Sequence, residues 1–139
     1  MIKIEFKENH ENYSHDDSII EFPSLGKKLT GDTFWFAVDV EPEISYEKLI
    51  QNIVSEFLKD FNAIKKLSIK RSYMWFFHTF DEGDHGVVLT NMDNFRLKLS
   101  FVFKFRGHPQ EYSFQDEEYF LEREPFLMEM EKQINKYLV

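Results

Sequence analysis

The segment Phe95–Arg106, FRLKLSFVFKFR, alternates apolar side chains with cationic or small polar ones at a period of two. In a β-strand this period sends successive side chains to opposite faces, so the segment predicts a strand that is buried on one face only. Fully extended, its twelve residues would span about 40 Å, roughly the width of a whole domain of this size. The alternation weakens at Ser100 and Val102, and we therefore expect the strand to bend or bulge there. The cations on its polar face are Arg96, Lys98, Lys104 and Arg106.

Two other segments carry apolar side chains every three or four residues, which is the spacing of an amphipathic helix. The first begins after Ser45, a residue type that caps helix N-termini well. The second contains Pro125, which is accepted in the first turn of a helix and not further along. We predict helices over about 45–62 and 124–138.

The remaining apolar segments favour strands. Connections after the first helix are too short for crossover helices, so these strands should pair antiparallel. Residues 73–80 are apolar on both faces, as is typical of a strand in the middle of a sheet, and 23–32 are predicted to be a turn region. Besides 95–106, the segments predicted to be extended are 2–6, 19–22, 33–40, 65–71, 73–80 and 87–90.

The predicted fold class is therefore α+β. We expect a mainly antiparallel, strongly bent sheet of about five to seven strands, with the two helices packed on one face. A barrel or cone-like sheet wrapped around a helix is the alternative topology. The chain shows no internal repeat and no linker, and its 139 residues are a usual length for one domain, so we predict a single compact domain over 1–139.

Composition narrows the class of protein. The hydrophobic fraction of 42% is sufficient for a core, and the absence of cysteine excludes disulfides and thiolate metal sites. No window approaches the roughly 18 apolar residues of a membrane span, and no signal-peptide core is present. We expect a cytoplasmic protein that does not associate with membranes.

Charge is distributed unevenly along the chain. The formal net charge is -8, yet residues 65–106 carry eight cationic and only four acidic side chains. The cations of 95–106 either pair with carboxylates on neighbouring strands or contact an anion such as nucleic acid. The pairing interpretation is favoured, because the chain as a whole would repel a polyanion.

A second cluster of chemistry-bearing residues lies in HTFDEGDHG, at 78–86. Imidazoles and carboxylates are ligands of zinc and non-haem iron, but the same residues with two glycines are also typical of a hairpin turn. Their spacing matches no metal-binding motif, and we interpret the segment as a turn that contains His85. The weak metal-ligand candidates are His78, Asp81, Asp84 and His85.

No other pattern indicates catalysis. His10, His15, Asp16 and Asp17 lie in a polar N-terminal segment that we interpret as a surface loop. Motifs of nucleotide-binding proteins, serine hydrolases and zincins are absent from the sequence. We predict a non-catalytic protein with no cofactor and no bound metal.

The acid-rich segment QDEEYFLERE, at 115–124, interleaves carboxylates with aromatic side chains. Acidic side chains steer association with a basic partner, and aromatic side chains anchor it. A small, acidic, cysteine-free chain without catalytic motifs resembles the bacterial immunity proteins, which neutralise cationic toxins, often nucleases. That resemblance implies a basic protein as partner. The candidate contact residues are Asp116, Glu117, Glu118, Tyr119 and Glu122.

Two alternatives from other classes stay open. The first is a nucleic-acid-binding protein in which the four cations of 95–106 contact phosphates. The second is a small-ligand pocket between sheet and helix, lined by aromatic residues such as Trp35, Trp75 and Phe77. Core packing is the competing interpretation of those aromatic side chains.

Overall fold

The computed structural model describes residues 2–7, 18–31, 45–80, 83–105, 107 and 111–138, with the backbone alone at 77–80. The described elements are β1 (Lys3–Phe6), β2 (Ser18–Phe22), β3 (Lys27–Gly31), α1 (Tyr46–Lys65), β4 (Ser72–Phe80), β5 (Gly83–Asn91), β6 (Arg96–Phe105), β7 (Tyr112–Glu122) and α2 (Arg123–Asn135). Strands β1 to β3 form one antiparallel sheet, and β4 to β7 form another, each in chain order. The α+β class, the antiparallel pairing and the two helices are confirmed, whereas the strands divide between two sheets instead of forming one.

Helix α1 follows the pattern expected from the sequence. Ser45 caps it, since its Oγ accepts a hydrogen bond of 3.2 Å from the backbone N–H of Lys48. The helix continues three residues beyond the predicted end and stops at Lys65. Its buried stripe consists of Leu49, Ile50, Ile53, Val54, Phe57, Phe61 and Ile64.

Helix α2 begins directly after β7, with Pro125 in its first turn, and ends three residues before the predicted limit. Side chains at its C-terminal end cover the outer edge of β1. Gln133 Oε1 accepts from the Ile4 N–H at 3.1 Å, Lys136 Nζ donates to the Ile4 carbonyl at 3.1 Å, and the Tyr137 hydroxyl accepts from the Phe6 N–H at 3.2 Å. Three outward backbone groups of β1 are thus satisfied by side chains at and directly after the C-terminal end of α2.

One hydrophobic cluster joins both helices to both sheets. Trp75 of β4 is 1% exposed and meets Phe57 of α1 edge to face, with ring centroids 5.2 Å apart. Phe22 of β2 meets Phe101 of β6 in the same way at 5.9 Å. The face of the four-stranded sheet that carries Leu97, Leu99 and Phe101 is therefore its inner face. The cores of the helices and sheets are continuous, because each covers the apolar face of another.

Several local predictions are wrong. Among the described strands β4 pairs with β5 alone, so they do not place it in the middle of the sheet, and Met74 on its outer face is 40% exposed. Residues 27–31 form β3 instead of a turn, because pairing with the buried β2 outweighs the polar sequence KKLT. Residues 66–71 belong to no strand and include turns at Lys66 and at 69–70, where Lys70 has φ 70°, instead of forming an extended segment. The predicted strand over 33–40 lies outside the described residues.

The expected irregularity in β6 is present. Ser100 pairs with Glu118, but Val102 pairs with Phe114, so β7 has three residues opposite the single residue Phe101. The extra residues, 115–117, form a bulge in β7 that shifts the register. Both Phe101 and Val102 are buried, so the alternation fails at the place where the sequence pattern weakens.

Gly86 lies within β5, not in the hairpin turn that the sequence predicted. A Cβ atom there would lie 2.5 Å from the Trp75 carbonyl oxygen and 2.6 Å from Cδ1 of Phe76. The ring of Phe76 thus occupies the space above the glycine. Gly26, by contrast, needs its left-handed φ of 65° and has open space around it.

These two glycines should respond differently to substitution. Gly86→Ala should lower the free energy of unfolding by about 1–3 kcal/mol through overpacking, and Gly86→Asn by at least as much. Gly26→Ala should cost about 1–2 kcal/mol of backbone strain, most of which Gly26→Asn recovers. Urea denaturation of the four variants measures both effects, and equal tolerance of asparagine at the two sites would contradict this account.

Candidate functional site

The outer face of the four-stranded sheet, opposite the inner face, carries aromatic, acidic and cationic side chains together. Cross-strand register brings them into rows that run from β4 to β7. Met74, Val88, Ser100 and Glu118 form one such row, while Phe76, Gly86, Val102 and Phe114 form the next.

Three aromatic side chains and one valine on this face form what we call the outer aromatic cluster: Phe76, Tyr112, Phe114 and Val102. Phe76 stacks on Tyr112 with ring centroids 6.1 Å apart, and Tyr112 lies 6.0 Å from Phe114. Val102 is buried, although it lies on the outer face. Phe114 is 53% exposed, as is Phe120 further along β7. Large aromatic side chains gathered on a sheet face in this way are typical of an interaction surface.

The cations on the polar face of 95–106 contact carboxylates or aromatic rings of the chain itself at each described position. Arg96 forms an ion pair with Asp93 at 3.2 Å and lies over the Phe120 ring at 5.6 Å. Lys98 pairs across strands with Glu118 at 3.4 Å, and Lys104 lies over the Phe76 ring at 5.8 Å. Arg106 lies outside the described residues. The favoured interpretation, pairing with carboxylates on neighbouring strands, is present at Lys98, whereas Arg96 pairs with a carboxylate of the turn that precedes its own strand.

The Asp93 carboxylate also fixes the turn that leads into β6. It accepts backbone N–H groups from Phe95 and Arg96, each at 2.8 Å. The pKa of Asp93 lies below its usual value. The hydrogen bond from the Phe95 N–H is the largest cause, and the hydrogen bonds from Arg96 add to it. The carboxylate that pairs with Arg96 is therefore a fixed part of the structure.

The five predicted contact residues on β7 do not share one face. Glu118 and Glu122 lie on the outer face, and Asp116 lies in the bulge. Glu117 accepts a hydrogen bond from the Tyr119 hydroxyl and lies 3.5 Å from Lys27 of β3. The Tyr119 bond and then Lys27 lower the pKa of Glu117. Glu117 and Tyr119 thus tie β7 to the three-stranded sheet, while the other three acids remain exposed.

Of the metal-ligand candidates, Asp84 and His85 are the two whose side chains the structure describes, and these two do not converge. Asp84 and His85 are consecutive residues of β5, so their side chains leave opposite faces of the sheet. His85 lies on the strand and not in the turn, with its ring 4.9 Å from that of Phe103, and burial lowers its pKa. Asp81 and the side chain of His78 lie outside the described part of the chain. Among the described residues, no group of three or more His, Asp or Glu side chains could hold a metal ion.

The pocket interpretation loses one of its residues, because Trp75 belongs to the core. Trp35 and the side chain of Phe77 lie outside the described residues. A cleft of about 620 Å³ is present elsewhere, beside the first turn of α1, between Phe6, Tyr46 and Tyr137. No described helix is long and apolar enough to span a membrane.

Comparison of the chain with family models, curated proteins and solved structures found no match. The site is therefore interpreted from its own geometry. The sequence prediction centred on 115–124 and missed Tyr112 and Phe114. Their alternation in EYSF was the available signal, but only the sheet register brings them to Phe76, which is distant in sequence.

The half-buried carboxyl group of Asp60, between α1 and β4, has a pKa that is shifted toward neutral pH. Asp60 accepts a hydrogen bond from the Tyr73 hydroxyl, and burial raises its pKa from 3.8 to about 6. The folded protein therefore binds this proton more tightly than the unfolded chain does. The contribution of Asp60 to stability should fall as pH rises from about 4 to about 6.

Asp60→Asn should therefore gain stability relative to the wild type as pH rises through that window, because the amide needs no proton. Thermal unfolding at pH 4.5 and pH 8 measures the difference. Tyr73→Phe removes a hydrogen bond that lowers the Asp60 pKa. The pH range over which stability falls should therefore extend to higher pH in this variant. Parallel stability profiles for the wild type and Asp60→Asn would show that Asp60 does not titrate in this range.

Proposed function

We propose that this chain is a non-catalytic binding domain whose partner is a basic protein, docked on β7 and the adjoining outer face. One observation carries the proposal: on β7, which pairs with β6 alone among the described strands, Phe114 and Phe120 are each 53% exposed, and Phe120 lies between the exposed carboxylates Glu118 and Glu122. Exposed aromatic side chains supply binding energy when a partner covers them. Carboxylates around them select a cationic partner and speed its association.

The biological role we propose is that of an immunity-type protein, which neutralises a basic toxin such as a nuclease by direct binding. A nuclease presents cations to phosphate, and an acidic surface competes for the same cations. The formal net charge of -8 supports attraction to such a protein over long distances. The aromatic side chains of β7 then contribute contacts that salt screens less than charge.

Neutralisation can be tested with a neighbouring gene that encodes a larger protein with a basic C-terminal domain. Cells that express this domain should grow when the chain is co-expressed. The double variant Phe114→Ala, Phe120→Ala should lose protection, because the anchors are removed. The control is Ile69→Ala, Met128→Ala, which removes two exposed apolar side chains outside the described sheets. Failure of the wild type to protect would reject the toxin role.

Nucleic-acid binding is the second candidate, and Lys104 over the Phe76 ring is the observation in its favour, since single-stranded nucleic acids bind stacked rings and cations. The carboxylates Glu118 and Glu122 on the same face oppose phosphate. We expect no binding of the purified protein to single-stranded DNA or RNA at low salt, as measured by fluorescence anisotropy. Salt-sensitive binding that Lys104→Ala weakens would favour this candidate over the first.

A further inference from the structure

The backbone of β7 presents hydrogen-bonding groups along an exposed edge. The Arg123 N–H donates to the Phe95 carbonyl at 2.8 Å, which fixes the alternation of the β6–β7 ladder. Residues 119 and 121 therefore direct their N–H and C=O groups toward β6. Residues 118 and 120 direct theirs away from the sheet, as does the N–H of Glu122, whose carbonyl belongs to the first turn of α2 because Glu122 is the N-cap of that helix. Within the described residues, β7 pairs with β6 alone.

This edge differs from that of β1, where side chains of α2 satisfy the outward backbone groups. On β7, the side chains of Glu118, Phe120 and Glu122 are exposed, and their outward amides receive no such cover from the described residues. Long exposed edges are prone to pairing with other strands, and proteins usually protect them. Here the protection consists of the bulge at 115–117 and of negative charge.

Negative charge protects the edge selectively. Two copies of β7 that approached each other would bring carboxylates together, so self-pairing is disfavoured. A strand with cations at the matching positions would instead gain both main-chain hydrogen bonds and ion pairs. Strand β6 already places cations near these carboxylates on the other side of β7, where Arg96 lies opposite Glu122 and Lys98 forms a diagonal ion pair with Glu118 at 3.4 Å.

We propose that the basic partner adds an extended segment to β7 as a fifth strand, antiparallel to β7 and paired along residues 118–122. The inference rests on the proposed function and specifies how the partner binds. Side chains of paired residues lie on the same face, so the segment needs a cation opposite Glu118, an apolar side chain opposite Phe120 and a cation opposite Glu122. Its recognition pattern is thus cation–x–apolar–x–cation, and the bulge limits the paired length to about five residues.

A capped synthetic heptapeptide, Thr-Lys-Thr-Val-Thr-Lys-Thr, is a suitable probe. In the free protein, the amides of 118, 120 and 122 should exchange with solvent faster than those of 119 and 121. Addition of the peptide at low salt should protect these three outward amides, as measured by hydrogen exchange and by nuclear magnetic resonance shifts. Absence of any shift on β7 at millimolar peptide, or shifts confined to another surface, would overturn the proposal.

Methylation of the peptide backbone separates strand pairing from attraction between side chains. The Lys and Val amides point toward β7 in the proposed register, so their N-methylation should weaken binding about tenfold or more. N-methylation of the central Thr amides, which point away, should leave affinity nearly unchanged. Equal losses from the two patterns would overturn strand addition.

The contribution of charge has a matched control in the chain. The variant Glu118→Gln, Glu122→Gln should weaken peptide binding about fivefold to tenfold. The control Glu56→Gln, Glu131→Gln removes the same net charge from the helices and, like the test pair, breaks one exposed ion pair, Glu56 with Lys59 at 2.9 Å. Its affinity should match the wild type, and equal weakening by both variants would contradict recognition at this edge.

The outcome for strand addition is separable from that for the proposed function. Protection of cells by the wild type, combined with no difference between the two methylation patterns, would retain the binding function and reject strand addition. Peptide pairing on β7, combined with failure to protect, would retain the edge as a binding site and reject the toxin role.

Discussion

The alternation of β6 is the constraint on which the four-stranded sheet depends. Its inward side chains Leu97, Leu99 and Phe101 belong to the core shared by both helices and both sheets, so the strand has one orientation that buries them. A shift of one residue would place cations in that core and apolar side chains in water. Because β5 and β7 pair with β6 on its two sides, its register determines which of their side chains face outward.

The outer face follows from that register and from the bulge in β7. The register shift brings Phe114 opposite Val102 and Tyr112 opposite Lys104. The ring of Phe76 extends over Gly86 and reaches Tyr112, so a small apolar cluster forms on the face opposite the core. Carboxylates of β7 lie beside this cluster, which places apolar and acidic groups within reach of one partner.

The edge strands β1 and β7 are protected against pairing with other strands by different physical means. Side chains of α2 donate and accept hydrogen bonds along β1, so that edge is closed by the chain itself. On β7, charge and a bulge hinder pairing with an identical strand but not pairing with a basic one. The acid-rich segment that the sequence singled out therefore differs in role along its length: Glu117 and Tyr119 hold the sheets together, and Glu118 and Glu122 are exposed on the outer face.

The sequence by itself determined the elements whose periodicity is local. Helix α1 with its Ser45 cap, the one-sided burial of β6 and the irregularity near Ser100 all follow from side chains a few residues apart. Only the tertiary structure decided the division into two sheets, the pairing of β4 with β5 alone among the described strands, and the contact between Phe76 and Tyr112. Apolar side chains on both faces of β4 indicate contacts on both sides without indicating what makes them, because strand order depends on pairing between distant segments. The ion pairing of Lys98 likewise depends on residues distant in sequence, since Glu118 becomes its neighbour only through the β6–β7 register.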